Sequence, residues 1–173
     1  MSEDRTESFW GWGWDEKFPS AQERENIGEQ VRQLLGLDEL EARDPPELEA
    51  LELPESQIVP PERLEVICTR EKRVRARHTY GRSYPDLVRG FRGDFEGAPD
   101  VVARPRRVDQ VRELLEWASN ADLAVVPFGG GTSVVRGVES GAIDGYQGVV
   151  TVDMRAMDRI LEVDERAGAA WIQ

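Results

Sequence analysis

Apolar and polar positions follow different periods in different parts of the chain. Ile27, Val31, Leu34 and Leu35 recur at i, i+4, i+7 and i+8 with Glu, Arg and Gln between them, which predicts an amphipathic helix. Ser20 with Glu23 supplies a capping box at its start, and Gly36 supplies the stop. Further along, the run from Asp100 to Ala103 reads as a short strand ended by Pro105. Val108, Val111, Leu115 and Ala118 then mark the apolar face of a helix that Asn120 can end, and Leu123 to Val126 reads as a buried strand. Strand, helix and strand at this spacing predict a right-handed parallel βαβ unit. Val149 to Met154, Ile160 to Val163 and Ala169 to Ile172 predict three more strands, the last two joined by a turn near Asp164 to Gly168. The closing run Ala-Ala-Trp-Ile-Gln is strand-like with no turn or polar tail, so a continuation is expected.

The segments between carry weaker patterns. Residues 38–66 contain Pro45, Pro46, Pro54, Pro60 and Pro61, which predicts an extended acidic strap with short helical pieces near Leu48 to Leu51 and Glu62 to Ile67. Trp10, Trp12 and Trp14 alternate with Gly11 and Gly13, so an extended segment would place three rings on one face and staple the N-terminus to the body. Arg73, Arg75 and Arg77 alternate with Val74, Ala76 and His78, which predicts a solvated strand face rather than a phosphate patch. His78, the single histidine, reads as a strand residue without an assigned partner, so no general base is assigned to it. Cys68, beside the apolar Val66 and Ile67, reads as a buried, inert thiol.

Composition narrows the function. With 22 Lys plus Arg against 34 Asp plus Glu, the net charge of -12 argues against a nucleic-acid binder, because backbone binding needs Lys and Arg. Residues 1–70 hold 18 acids and 7 bases, whereas residues 71–173 hold 16 acids and 15 bases, so an anion site is expected in the second part. One cysteine allows neither an internal disulfide nor a multi-cysteine zinc site, and no metal site is expected. The start Met-Ser-Glu-Asp-Arg-Thr-Glu lacks the basic and apolar regions of a secretory signal, and no apolar run reaches the roughly 18 residues that a transmembrane helix needs. A cytoplasmic location is the expectation.

The chemistry concentrates in Pro127, Phe128, Gly129, Gly130, Gly131, Thr132 and Ser133, directly after the buried strand. Glycines without Cβ atoms let the backbone take φ > 0 and lie against a ligand, so that several N–H groups converge on a phosphate; Thr132 and Ser133 add hydroxyls. The Lys of a P-loop and the Gly-x-Gly-x-x-Gly spacing of a Rossmann site are both missing. Ser133 lacks the flanks of a nucleophile elbow. Taken alone, the triple glycine is equally compatible with a tight turn.

Together, Ala98-Pro99-Asp100-Val101-Val102, the helix from Val108, and Val125-Val126-Pro127-Phe128-Gly129-Gly130-Gly131-Thr132-Ser133 resemble the start of the FAD-binding domain of the vanillyl-alcohol oxidase (PCMH-type) flavoprotein family. Trp10 to Trp14, Gly81-Arg82-Ser83-Tyr84-Pro85-Asp86-Leu87, and Asp153 to Met157 leading to Ile160 to Asp164 resemble its alkyldihydroxyacetonephosphate synthase branch. Arg106 and Arg107 depart from the pattern, standing where a Ser or Thr N-cap is expected. The resemblance implies an α+β fold: a helical and extended region over 1–97, then the first half of a PCMH-type FAD-binding domain over 98–173. It implies that Pro127 to Ser133 wrap the pyrophosphate of FAD. Covalent relatives commonly carry His where Thr132 stands, so the flavin is expected to be non-covalent. The implied partners are FAD and a small-molecule or lipid-type substrate, and a homodimer is left open. In this branch FAD takes part in exchanging an acyl group for a fatty alcohol without net redox change. The alternatives are an oxidase or dehydrogenase of the same family acting on a hydroxy acid or alcohol, and a non-catalytic interaction module. Catalytic residues stay unassigned, because the family keeps them in parts that these residues do not match.

Overall fold

The structure is a computed structural model describing residues 5–41, 43–141 and 143–173. Met1 to Asp4, on which the expectation of no secretory signal partly rests, lie outside the described residues. The elements are α1 (Ala21–Leu35), α2 (Glu62–Glu65), β1 (Cys68–Thr69), α3 (Lys72–Arg77), α4 (Tyr84–Phe91), β2 (Val101–Ala103), α5 (Val108–Asn120), β3 (Leu123–Phe128), β4 (Gly148–Asp153), β5 (Ile160–Asp164) and β6 (Ala169–Ile172).

The fold is α+β, as expected. Four strands form one sheet in the order β1-β2-β4-β3, with β1 antiparallel to β2 and the other pairs parallel. The strands β2 and β3 do run in the same direction around α5, but β4 lies between them and pairs with both. The hairpin of β5 and β6 forms a second, two-stranded sheet, and the Asp164 to Gly168 turn closes it with Gly168 at φ 61°. All residues of this hairpin's strands are exposed.

One core lies between sheet and helices, where Val101, Ala103, Val150 and Val152 pack with Leu114, Ala118 and Leu64. Here the predicted face of α5 is corrected. Leu114 and Ala118 are buried, whereas Val108 and Leu115 are exposed. A β-sheet covers one stripe of the helix, and Leu114 with Ala118, one turn apart, is that stripe; its neighbour Leu115 lies about 100° round the axis. Arg107 occupies the N-cap without a side-chain hydrogen bond to the helix backbone and instead pairs with Asp109 at 2.9 Å. A second core gathers Phe9, Leu51, Ala76, Tyr80 and Phe95. Through Leu51 the proline-rich strap is pinned to it, and among the described residues between Gly36 and Pro61 no regular element forms beyond a turn near Leu48.

Three further expectations change. The capping box at Ser20 and Glu23 and the αL Gly36 bound α1 as predicted, yet none of its residues is buried. The tryptophan segment is bent rather than extended: Ser8 N–H donates to Gly13 O at 2.9 Å and Gly13 takes φ 83°, which rotates the rings apart. Trp10 alone staples, stacking on Phe18 and on the edge of Phe91, while Trp12 stays exposed. Cys68 sits on the edge strand β1 and is half-buried rather than buried on a helix; burial pushes its thiol up to about 11, which keeps it protonated.

Candidate functional site

The run Leu123 to Phe128 forms a strand because β-branched and apolar side chains suit a sheet buried on both faces. Where pairing with β4 stops, at Phe128 opposite Asp153, the chain turns into Gly129, Gly130 and Gly131. The loop thus leaves the carboxyl end of a parallel strand, the end at which open α/β sheets bind ligands.

The three glycines are not equivalent. Gly131 takes φ 69°, and a Cβ there would stand 2.4 Å from the Phe128 ring and 2.9 Å from Arg77 Nη1, so the position demands glycine. Gly130 is exposed and meets only Thr132 Cγ2, at 3.6 Å, while Gly129 meets nothing within 4 Å. The Phe128 ring is buried beneath the loop, whereas Pro127 and Thr132 are exposed. Ser133 Oγ accepts from Gly137 N–H at 3.1 Å and so closes the turn that follows. Its carbonyl accepts from Arg82 N–H at 2.7 Å, and it lies where a Gly81 Cβ would stand, 2.1 Å away. The motif Gly81 to Leu87 therefore buttresses the loop, and Ser83 with Asp86 caps α4 beside it.

Under the loop lie groups that the period-2 reading misplaced. Arg73, Arg75 and Arg77 are on a helix, α3, not a strand. Six alternating residues fit either period, but at 100° per residue Arg73 and Arg77 share one face and Arg75 takes the other. Arg75 is buried and donates to Pro99 O and Pro54 O, both at 2.6 Å. Arg77 is only 9% exposed, with its guanidinium 5.5 Å from the Phe128 ring centroid and Nη2 3.5 Å from Gly130 O. Its Nε and Nη1 have no hydrogen-bond partner among the described residues. Burial lowers the Arg77 pKa, an effect that Glu7 at 3.8 Å opposes. Arg82 is buried nearby, and burial together with Arg77 brings it down to about 10.

His78 ends α3, fully buried, with its ring 4.3 Å from that of Phe128. Nδ1 lies 2.7 Å from Val74 O and Nε2 lies 3.1 Å from Asp153 Oδ2, so it does have partners, and both are acceptors. Burial lowers its pKa while these acceptors favour the protonated ring. Burial alone would raise the Asp153 carboxyl, but hydrogen bonds from His78 and Arg155 outweigh it and hold the group well below the usual carboxylate range. Arg155 also reaches Glu7 at 2.8 Å, which ties the N-terminal arm to the end of β4. Arg5, Glu7, Arg73, Arg77, Arg104 and Arg155 line a cleft of about 400 Å³ on the side of the N-terminal arm. The sequence pattern places Arg77 on a solvated strand face and shows Arg82 and Asp153 only as parts of motifs; the i, i+4 spacing of Arg73 and Arg77 is the signal for their shared helix face.

A mixed sheet with a glycine loop at the carboxyl end of a parallel strand, next to buried arginine, characterises this α+β domain, and residues 99–173 match the family described as FAD binding domain. The second part of the chain thus matches FAD-binding domains, and the cofactor is FAD. Over 96 residues the chain is 40% identical to alkyldihydroxyacetonephosphate synthase of Trypanosoma brucei brucei, covering 56% of this chain and 16% of that protein. Over 103 residues it is 34% identical to the synthase of Dictyostelium discoideum, covering 60% and 16%. A D-2-hydroxyglutarate dehydrogenase of Stutzerimonas stutzeri (strain A1501) is 34% identical over 79 residues, 46% of this chain and 16% of that protein. A solved alkyldihydroxyacetonephosphate synthase structure shares the fold with TM-score 0.79 at 24% identity, over 96% of this chain and 36% of that one. The chain spans about 16% of the length of these curated relatives.

Proposed function

We propose that Pro127 to Ser133 hold the pyrophosphate of FAD, without a covalent bond, in an enzyme of the alkyldihydroxyacetonephosphate synthase type. The observation that carries the reading is the contrast within the loop: Gly131 is held at positive φ against Phe128, while Gly129 and Gly130 are presented bare to solvent. A tight turn needs the first property. The second leaves backbone N–H groups accessible where a phosphate approaches, and unpartnered Arg77 donors lie next to it. FAD supplies a ring that exchanges electrons with a bound substrate. The residues of this chain bind and orient it: the loop fixes the pyrophosphate, and Gly81 to Leu87 brace the loop.

The synthase reading implies a substrate of the lipid type, an acylated dihydroxyacetone phosphate and a fatty alcohol. The boundary between the N-terminal region and the FAD-binding domain is taken near residues 97 and 98, and no helix among the described residues is long and apolar enough to cross a membrane. The dehydrogenase relative favours the second reading, oxidation of a hydroxy acid. Supplying the full protein with each substrate class under anaerobic conditions separates them. Alkyl transfer without net bleaching of the flavin supports the synthase, and stoichiometric bleaching by a hydroxy acid supports the dehydrogenase.

A further inference from the structure

We propose that Arg77 is a side-chain anchor for the flavin pyrophosphate, donating from beneath the glycine loop, with Arg82 adding positive potential beside it. The inference rests on the assignment of Pro127 to Ser133 to that pyrophosphate, and adds a residue that lies outside both the loop and the matched domain, on α3.

Arg77 is a buried cation with unused donors. Its single hydrogen bond, from Nη2 to Gly130 O, is long at 3.5 Å, and Nε and Nη1 have none among the described residues. A guanidinium costs several kcal/mol to bury without a partner, so such a group is retained where something offsets it. The nearby carboxylates do so only in part. Glu7 is 3.8 Å from Arg77 Nε, beyond hydrogen-bond distance, and accepts two bonds from Arg155. Asp153 accepts from Arg155 and His78 and faces Arg104 at 3.3 Å. Arg82 donates from its side chain to its own neighbour's carbonyl, Gly81 O, and of the acids that act on it Glu7 is engaged by Arg155 and Asp86 by Arg89 and Ser83. Arg77, Arg82, Arg104 and Arg155 thus share three carboxylates, Glu7, Asp153 and Asp86, each already committed and Asp86 also bound to Arg89, which leaves a local excess of positive charge near the loop.

The excess has a direction. Nη1 of Arg77 lies 2.9 Å from where a Gly131 Cβ would be. A doubly charged pyrophosphate resting on Gly129 to Gly131 would meet backbone N–H groups with the guanidinium charge directly behind them, an arrangement that favours phosphate. The Phe128 ring, with the guanidinium over it, holds the charge there.

The test uses the apo form of the full protein, titrated with FAD at several NaCl concentrations, in the parent and in Arg77→Gln, Arg77→Met and Arg77→Lys. Methionine fills similar space without charge and serves if the glutamine variant folds poorly. The neutral variants should bind FAD about 10- to 100-fold more weakly, the range of a charge-assisted hydrogen bond. Their salt dependence should be shallower than the parent's, and lysine should restore most of the affinity. Their apo forms should withstand urea as well as the parent or better, since a buried unpaired charge has gone. Parent-like FAD affinity in the neutral variants would overturn the proposal. A loss of affinity with unchanged salt dependence would overturn it too, since Arg77 would then only shape the loop through Gly130 O. Failure of the loop assignment itself shows separately, as parent-like FAD affinity in Gly130→Val.

Discussion

Substituting the two adjacent glycines separately distinguishes a ligand-binding loop from a tight turn. At Gly131, alanine would have to keep φ near 69°, which costs roughly 1–3 kcal/mol. Its Cβ would also push into a Phe128 ring that is 1% exposed and lies against the His78 ring, an overpacking cost of about 1–3 kcal/mol. The total, roughly 2–6 kcal/mol, is a large fraction of the ~5–15 kcal/mol that holds a domain folded. Gly131→Ala should therefore lower the urea midpoint sharply. At Gly130, the Cβ meets only Thr132 Cγ2 at the ordinary contact distance of 3.6 Å, and the backbone is not at positive φ. Gly130→Val should leave the apo fold within about 1 kcal/mol of the parent, in the range of exposed substitutions. It places branched methyl groups where the pyrophosphate must approach, so the flavin-to-protein absorbance ratio of the purified full protein should fall toward zero. A folded Gly130→Val that retains stoichiometric FAD would refute the loop assignment, and a Gly131→Ala as stable as the parent would refute the strain argument.

Acid precipitation of the full protein should release all flavin to the supernatant, because Thr132 offers no imidazole and His78 is buried beneath Phe128; flavin retained on a peptide spanning Thr132 would contradict this. Asp153→Asn should destabilise the fold by about 1–3 kcal/mol, since it removes the carboxylate that accepts from buried His78 and from Arg155, which keeps only Glu7; chemical denaturation measures it. The Asp153 and Glu7 carboxyls are held below their unfolded range, so they stabilise the fold above pH ~4 and that contribution is lost as pH falls below it; the slope of stability against pH should flatten in Asp153→Asn. Leu114→Ala should cost about 2–5 kcal/mol and Leu115→Ala under about 1 kcal/mol; equal costs would mean that α5 faces the sheet through a different stripe.

The parts of this architecture visible in the sequence are those set by local physics. Ser20, Glu23 and Gly36 bound α1 through hydrogen bonds within a few residues, and Leu123 to Val126 is apolar enough to be a buried strand in any context. Partner choice is not local. His78 meets Asp153 across 75 positions, and β4 inserts between β2 and β3, neither of which a periodicity encodes. Arg73 to Arg77 is too short for its period to distinguish strand from helix, so the placement of Arg77 under the loop stayed hidden. The glycine loop was legible as a motif, but which glycine carries the positive φ depends on the Phe128 ring and Arg77, which only packing reveals. Leu114 and Leu115 are equally apolar, and the sheet alone decides between them.

The central claim is tested most directly by a structure of the full protein with FAD bound. The account predicts pyrophosphate oxygens within hydrogen-bond distance, about 2.7–3.2 Å, of backbone N–H groups between Gly129 and Ser133. FAD seated in the protein with its pyrophosphate away from these residues, and the loop in the same turn as without ligand, would contradict it.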